Sequence, residues 1–173
     1  MIDLAAELPQ LLPLAVAWAQ DQETAILATG RALIATESKL AAAVGERETD
    51  RVRIKIVQQL PLPQHPGLRT AAIQTGLLGP AMIGITFGHG IYIRGRDISN
   101  RLVSHELRHV YQYEEAGSIA AFLATYLEQI VTFTYERAPL ELDARRHERD
   151  KPSRQVSWVL QARHSSPAVR RAQ

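Results

Sequence analysis

Ser104-His105-Glu106-Leu107-Arg108-His109-Val110-Tyr111-Gln112-Tyr113 holds the one spacing in the chain that chemistry demands and packing does not. Residues four apart on an α-helix lie about 40° apart around its axis, so imidazoles at 105 and 109 reach one metal ion from the same side. Glu106 lies about 100° round from His105 and reaches a water on that ion without ligating it. A helical wheel sets Val103, Leu107 and Val110 on one side and Arg101, Ser104, Arg108 and Glu115 on the opposite one. Leu102, His105, His109 and Tyr113 fall between, so the histidines border a buried face while Ser104 is expected on the wet one. Taken alone, the HExxH pattern also arises by chance and in histidine pairs that serve only as hydrogen-bonded structural residues.

Outward from this helix, Asp97 or Ser99 is the expected cap and Gly117 the stop, after which Ser118 caps a second helix reaching about Glu136. The stripe Ile119, Phe122, Leu123, Tyr126, Leu127 and Ile130 on that helix reads as core. Upstream, residues 81–87 and 91–94 are apolar, β-prone runs separated by Gly88-His89-Gly90, which predicts a hairpin with His89 at its tip. Charged and β-branched residues alternate over 51–57, as in a strand with one wet face. Residues 61–67 are too proline-rich for regular structure, and 68–75 form a short helix closed by Gly76. Thr36-Glu37-Ser38 opens a capped helix that ends at Gly45. Residues 3–28 read as a long amphipathic helix over the core, with Pro9 and Pro13 placed to kink or divide it. These elements predict an α+β fold, mostly helical, with a small sheet or hairpin beside the HExxH helix. Residues 1–50 form a helical cover, 51–151 the core and 152–173 a basic tail, in one compact domain.

Composition bounds the chemistry. With 173 residues, 46% of them hydrophobic, the chain is long enough for one well-buried core and short for two. There is no cysteine, so thiolate metal sites and disulfides are excluded and any metal is held by His, Asp or Glu. The apolar run at 11–19 follows Asp3 and Glu7 without a preceding basic residue, unlike a secretory signal, and it is too short to span a bilayer; a cytoplasmic setting is expected. Net charge is +2, and its excess lies late: from Glu136 onward nine Lys/Arg face five Asp/Glu. Arg145, Arg146, Arg149, Lys151 and Arg154 read as a solvated face; no helix-turn-helix spacing, zinc finger or RNP motif accompanies them, so nucleic acid is not an expected partner.

Two histidines need a third protein ligand if one position is to stay open for water. Pro139-Leu140-Glu141-Leu142-Asp143-Ala144-Arg145 supplies candidates. Pro139 sits in the first turn of a third helix, Glu141 projects from that turn, and the small Ala144 permits close packing there. Asp143 and His147 compete for the same role.

Taken together, His105-Glu-Leu-Arg-His109-Val-Tyr-Gln, the preceding Gly90-Ile-Tyr-Ile93 and Pro139-Leu-Glu141-x-x-Ala144 resemble the small bacterial zincins of gluzincin type, with the SprT-like group as more distant relatives. The resemblance covers about residues 51–149. It implies a zinc metallopeptidase acting on a peptide or protein, with zinc on His105, His109 and Glu141, Glu106 as general base, and a strand such as residues 90–94 bordering the cleft. His89, Tyr92, Tyr113 and Tyr135 are candidate substrate or oxyanion groups. Many gluzincins carry an aspartate four residues after the third ligand, where it supports a histidine; here that position is Arg145, and Asp143 is the candidate substitute. The rival expectation is a non-catalytic zinc-binding or protein-interaction module built on the same helices.

Overall fold

The computed structural model describes residues 3–95 and 97–149. Its elements run in the order α1 (Leu4–Thr29), β1 (Arg31–Ala32), α2 (Ala35–Val44), β2 (Arg53–Val57), α3 (Pro66–Gln74), β3 (Gly84–Phe87), β4 (Gly90–Arg94), α4 (Asn100–Ala116), α5 (Ile119–Phe133) and α6 (Pro139–Arg146), with a 3₁₀ turn at Tyr135–Arg137. The fold is α+β and mostly helical, with a small mixed sheet. The basic tail expected at 152–173 lies outside the described residues.

The sheet has the order β1-β2-β4-β3, with β2 and β4 parallel and the two outer pairs antiparallel. Both edges of β4 are paired, and Gly90, Ile91, Tyr92 and Ile93 are all buried, which is why this run is continuously apolar. Ile91 and Ile93 enter a core shared with Ile54, Leu40 and Val44 of α2, and Val103, Leu107 and Val110 of α4. Tyr92 and Phe87 enter a second core with Ala19 and Ile26 of α1, Leu68 of α3, and Phe122 and Tyr126 of α5. The expected groove-bordering role of residues 90–94 is therefore corrected. A strand paired on both sides has no free edge, and the edge falls to β3.

Local chemistry explains the element ends. Ser99 Oγ accepts the Leu102 N–H at 3.2 Å to start α4, and Gly117, at φ 77°, closes it by donating to Tyr113 and Glu114 carbonyls at 3.1 Å each. Ser118 then caps α5 through Ala121 N–H. That helix stops at Phe133, short of Glu136, where Thr134 takes φ 70° and ψ 159° and turns the chain back towards α4. α1 runs through Pro9 and Pro13 unbroken, with both prolines on its exposed side. It lies so close on the sheet that a Cβ at Gly90 would stand 2.9 Å from the Ile26 side chain. α2 starts one residue before the expected Thr36: Glu37 accepts the Ile34 N–H at 2.9 Å from within the first turn and takes two bonds of 2.7 Å from Arg31. α3 likewise starts at Pro66, preset for a first helical position, with the His65 imidazole accepting Leu68 N–H. Among the described residues no single helix is long and apolar enough to cross a membrane.

Candidate metal centre

α4 carries His105 and His109 on one flank, and α6 packs against it; Ala144 of α6 and Ala138 just before it are both fully buried. No side chain caps α6; instead Gln129 Oε1, reaching from α5, accepts the Leu140 N–H at 3.0 Å and secures the first turn from which Glu141 projects. His105 Nε2 and His109 Nε2 stand 3.2 Å apart, His109 Nε2 lies 3.2 Å from Glu141 Oε1, and His105 Nε2 lies 3.6 Å from Glu141 Oε2. A tetrahedral ion with bonds of 2.0–2.1 Å separates its ligand atoms by about 3.4 Å. The three donors thus lie at the spacing that one zinc-sized ion requires. The competing Asp143 and His147 do not join them: Asp143 binds Arg108 and Gln112, and His147 Nδ1 faces the Asp143 carbonyl at 2.8 Å.

The ring nitrogens on the far side of each imidazole decide what faces the centre. His109 Nδ1 lies 2.8 Å from Gln112 Oε1, whose amide nitrogen donates to Leu140 O at 3.0 Å and Asp143 Oδ2 at 2.8 Å; Arg108 holds Asp143 in turn at 2.7 Å. Asp143 therefore supports a histidine, through Gln112 rather than directly. His105 Nδ1 lies 3.2 Å from Glu148 Oε1, and Glu148 is paired with Arg101. Acceptors at both Nδ1 atoms assign the protons there and leave both Nε2 lone pairs aimed at one point, an arrangement that suits a cation and opposes a dry gap. Glu141 is 1% exposed and receives the Tyr126 hydroxyl on Oε1 at 2.6 Å. Burial alone would raise its pKa; the His105 and His109 imidazoles, in the form protonated at Nε2 as well, and the Tyr126 hydroxyl outweigh that and hold it well below the usual carboxylate range.

Glu106 is set apart from these three. Its carboxylate is 4% exposed and takes the Thr86 hydroxyl on Oε2 at 2.8 Å, while a Cβ at Gly84 would stand 2.6 Å from Oε1. Strand β3 thus fixes this carboxylate with one hydroxyl and one missing side chain. Burial pushes the Glu106 pKa up, against the opposing pull of His105, His109 and Thr86. A carboxylate raised towards neutrality and close to two imidazoles is poised for proton exchange.

The centre opens into an apolar cleft of about 1010 Å³, mouth included, between α1, α3, β3 and α5; Leu8, Trp18, Leu68, Phe87 and Leu123 are among its walls. Tyr113 and Tyr135 line it, although the Tyr113 hydroxyl is committed to Thr86 O at 3.3 Å. Burial comes first in raising the Tyr135 pKa, with the nearby Glu141 charge behind it. His89 and Tyr92 lie elsewhere. Tyr92 is buried on the sheet with its hydroxyl towards Gln22, and His89 sits at the hairpin tip as expected, with its side chain buried among glutamates. Ser104, expected on the wet face of α4, is fully buried. Its Oγ accepts the Arg149 N–H at 2.8 Å because the chain after α6 folds back over it.

Sequence reasoning passes over Tyr126, Gln112, Thr86, Gly84 and Glu148 as site residues. Only Gln112 leaves a local signal, three positions after His109 on the same helix. Compared with known proteins, the chain matches no family model, and no curated protein and no solved structure matches it.

Proposed function

We propose that the chain is a zinc-dependent metallopeptidase of gluzincin type, acting in the cytoplasm on a peptide or protein substrate. The observation that carries this reading is the convergence of His105, His109 and Glu141 at ligand spacing, with Glu106 beside them yet outside the triad. His105, His109 and Glu141 would hold the zinc, which would supply Lewis acidity to a carbonyl and to a water whose pKa falls towards ~7. Glu106 accepts the proton of the attacking water on Oε1, the oxygen that Thr86 leaves free, and passes it to the departing amine. Thr86 Oγ1 keeps the carboxylate from rotating away during both transfers. Of the tyrosines considered for the developing oxyanion, Tyr135 suits the role best, since Tyr113 is held by Thr86 O. Side chains such as Leu8, Trp18, Leu68 and Leu123 favour substrates with a large apolar residue beside the scissile bond.

Zinc-loaded protein incubated with a defined peptide mixture and analysed by mass spectrometry tests the reading. Cleavage next to apolar residues is expected from the native chain and none from Glu106→Gln, with both retaining zinc. Equal cleavage by the two would refute the role of Glu106. Zinc binding without cleavage in either would leave the non-catalytic module as the correct reading.

A further inference from the structure

A second convergence of ligating groups lies at the other end of α4. Glu46 follows α2, His89 sits in the β3–β4 turn and Glu114 lies on the last turn of α4; their ligand atoms all fall within 4.8 Å of one another. Glu46 is 5% exposed and His89 9% exposed, and Glu46 Oε2 and His89 Nε2 are both buried without a hydrogen-bond partner. Unmatched buried polar atoms are costly, and two of them on residues of one cluster call for a group that satisfies both. The remaining atoms are already engaged. Glu46 Oε1 accepts the Glu48 N–H at 2.7 Å, and Glu114 accepts the N–H groups of Arg47 and Glu48 at 3.1 Å each. Glu23 Oε1 accepts the His89 backbone N–H at 2.9 Å and lies 3.8 Å from the imidazole Nδ1, so the ring proton is drawn to that side and the Nε2 lone pair is turned inward, 3.4 Å from Glu114 Oε1.

We propose that Glu46, His89 and Glu114 form a second divalent-cation site that takes a first-row transition ion of zinc type. One imidazole with two carboxylates favours such an ion over calcium or magnesium, whose sites are built from oxygen alone. Charge points the same way. Glu23, Glu46, Glu48 and Glu114 surround one histidine; Arg47 and Arg51 pair with Glu114, Glu115 and Glu48, and among the described residues no arginine or lysine pairs with Glu46. Burial, with the neighbouring Glu114 carboxylate behind it, pushes the Glu46 carboxyl up to about 7 in the metal-free protein, a penalty that a bound cation removes. An open cavity bordered by Glu48, Arg51, His89 and Glu114 gives an ion its entry path.

This site is independent of the catalytic reading. Glu114 is five residues beyond His109, about 7.5 Å further along the helix and about 140° round it, far from the 3.5–4 Å separation of a co-catalytic ion pair. Its expected role is to tie the α2–β2 connection and the β3–β4 turn to the end of α4. The hairpin so secured is the one that carries Gly84 and Thr86 to Glu106.

Zinc binding to the full chain, read by metal analysis after gel filtration and by competition with a chromophoric chelator, tests the proposal. Two equivalents are expected in the native chain, one in His105→Ala/His109→Ala, one in Glu46→Gln, and none in the combined variant. Thermal melts give a second readout that misfolding cannot imitate. Glu46→Gln, nearly isosteric, relieves the carboxylate repulsion and is expected to raise the metal-free melting temperature at pH 8, while abolishing the rise that zinc produces in the His105→Ala/His109→Ala background. A His105→Ala/His109→Ala chain that is folded and binds no zinc overturns the proposal, as does a Glu46→Gln chain that keeps both equivalents. Failure of the first centre looks different: a single equivalent lost in Glu46→Gln and kept in His105→Ala/His109→Ala.

Discussion

Gln112→Leu isolates the support of one ligand without touching a ligand. Gln112 is 5% exposed, accepts from His109 Nδ1 at 2.8 Å and donates to Leu140 O at 3.0 Å and Asp143 Oδ2 at 2.8 Å. Leucine fills a similar volume and makes none of these bonds, so the His109 N–H and the Leu140 carbonyl lose a partner in a buried setting. At about 1–3 kcal/mol for each of the two unmatched groups, the fold should lose roughly 2–6 kcal/mol. The more specific consequence concerns zinc. With its proton no longer held at Nδ1, His109 is free to adopt the tautomer that blocks Nε2, and loss of such an outer partner weakens metal binding about 10–100-fold. Competition with a chromophoric chelator at fixed pH measures this, with far-ultraviolet spectra to check folding. Asp143→Asn keeps an acceptor for the Gln112 amide and should lose less than tenfold. A folded Gln112→Leu chain whose first centre binds zinc within twofold of the native value would refute the positioning argument.

Gly84→Ala should preserve zinc and reduce peptide cleavage by roughly 10–100-fold, because the new methyl, 2.6 Å from Glu106 Oε1, displaces that carboxylate by a substantial fraction of an ångström; unchanged turnover would contradict it. Removing zinc should lower the melting temperature: an ion at 100 times its Kd contributes about 2.7 kcal/mol, worth about 5–11 °C in a chain of this size, as scanning calorimetry before and after chelation can show. Glu37 gives a pH signature. Burial would raise its pKa, but the bonds from Arg31 and the Ile34 N–H lower it. A depressed folded pKa contributes stability above the unfolded value near ~4.3 that disappears as pH falls through the folded one. Since Arg31 is partly exposed, that contribution is at most about 1 kcal/mol, and the stability gap between the native chain and Glu37→Gln should close as pH falls below about 4.3 in urea titrations.

What could be read from the chain follows from how local the determining forces are. The 105/106/109 geometry depends only on helical pitch, and Glu141 was reachable because Pro139 marks a first turn and Ala144 a close contact. The Gly88-His89-Gly90 hairpin declared itself for the same reason. Non-local facts did not. β1 is two residues long and offers no periodicity, and the parallel pairing of β2 with β4 joins strands separated by a helix and a further strand. A helical wheel could not foresee that Arg149 returns over Ser104, nor that Glu148 reaches His105 across 43 positions. Tyr126 read as core, and it is buried; that its hydroxyl holds Glu141 depends on how two helices cross.

Anomalous diffraction at the zinc absorption edge, on crystals of protein purified without chelator, tests the central claim most directly. The account predicts a peak about 2.0–2.2 Å from His105 Nε2, His109 Nε2 and a Glu141 oxygen, with Glu106 outside bonding distance. A peak bonded to Glu106, or to Asp143 or His147 in place of Glu141, or no peak between the two histidines at saturating zinc, would contradict it.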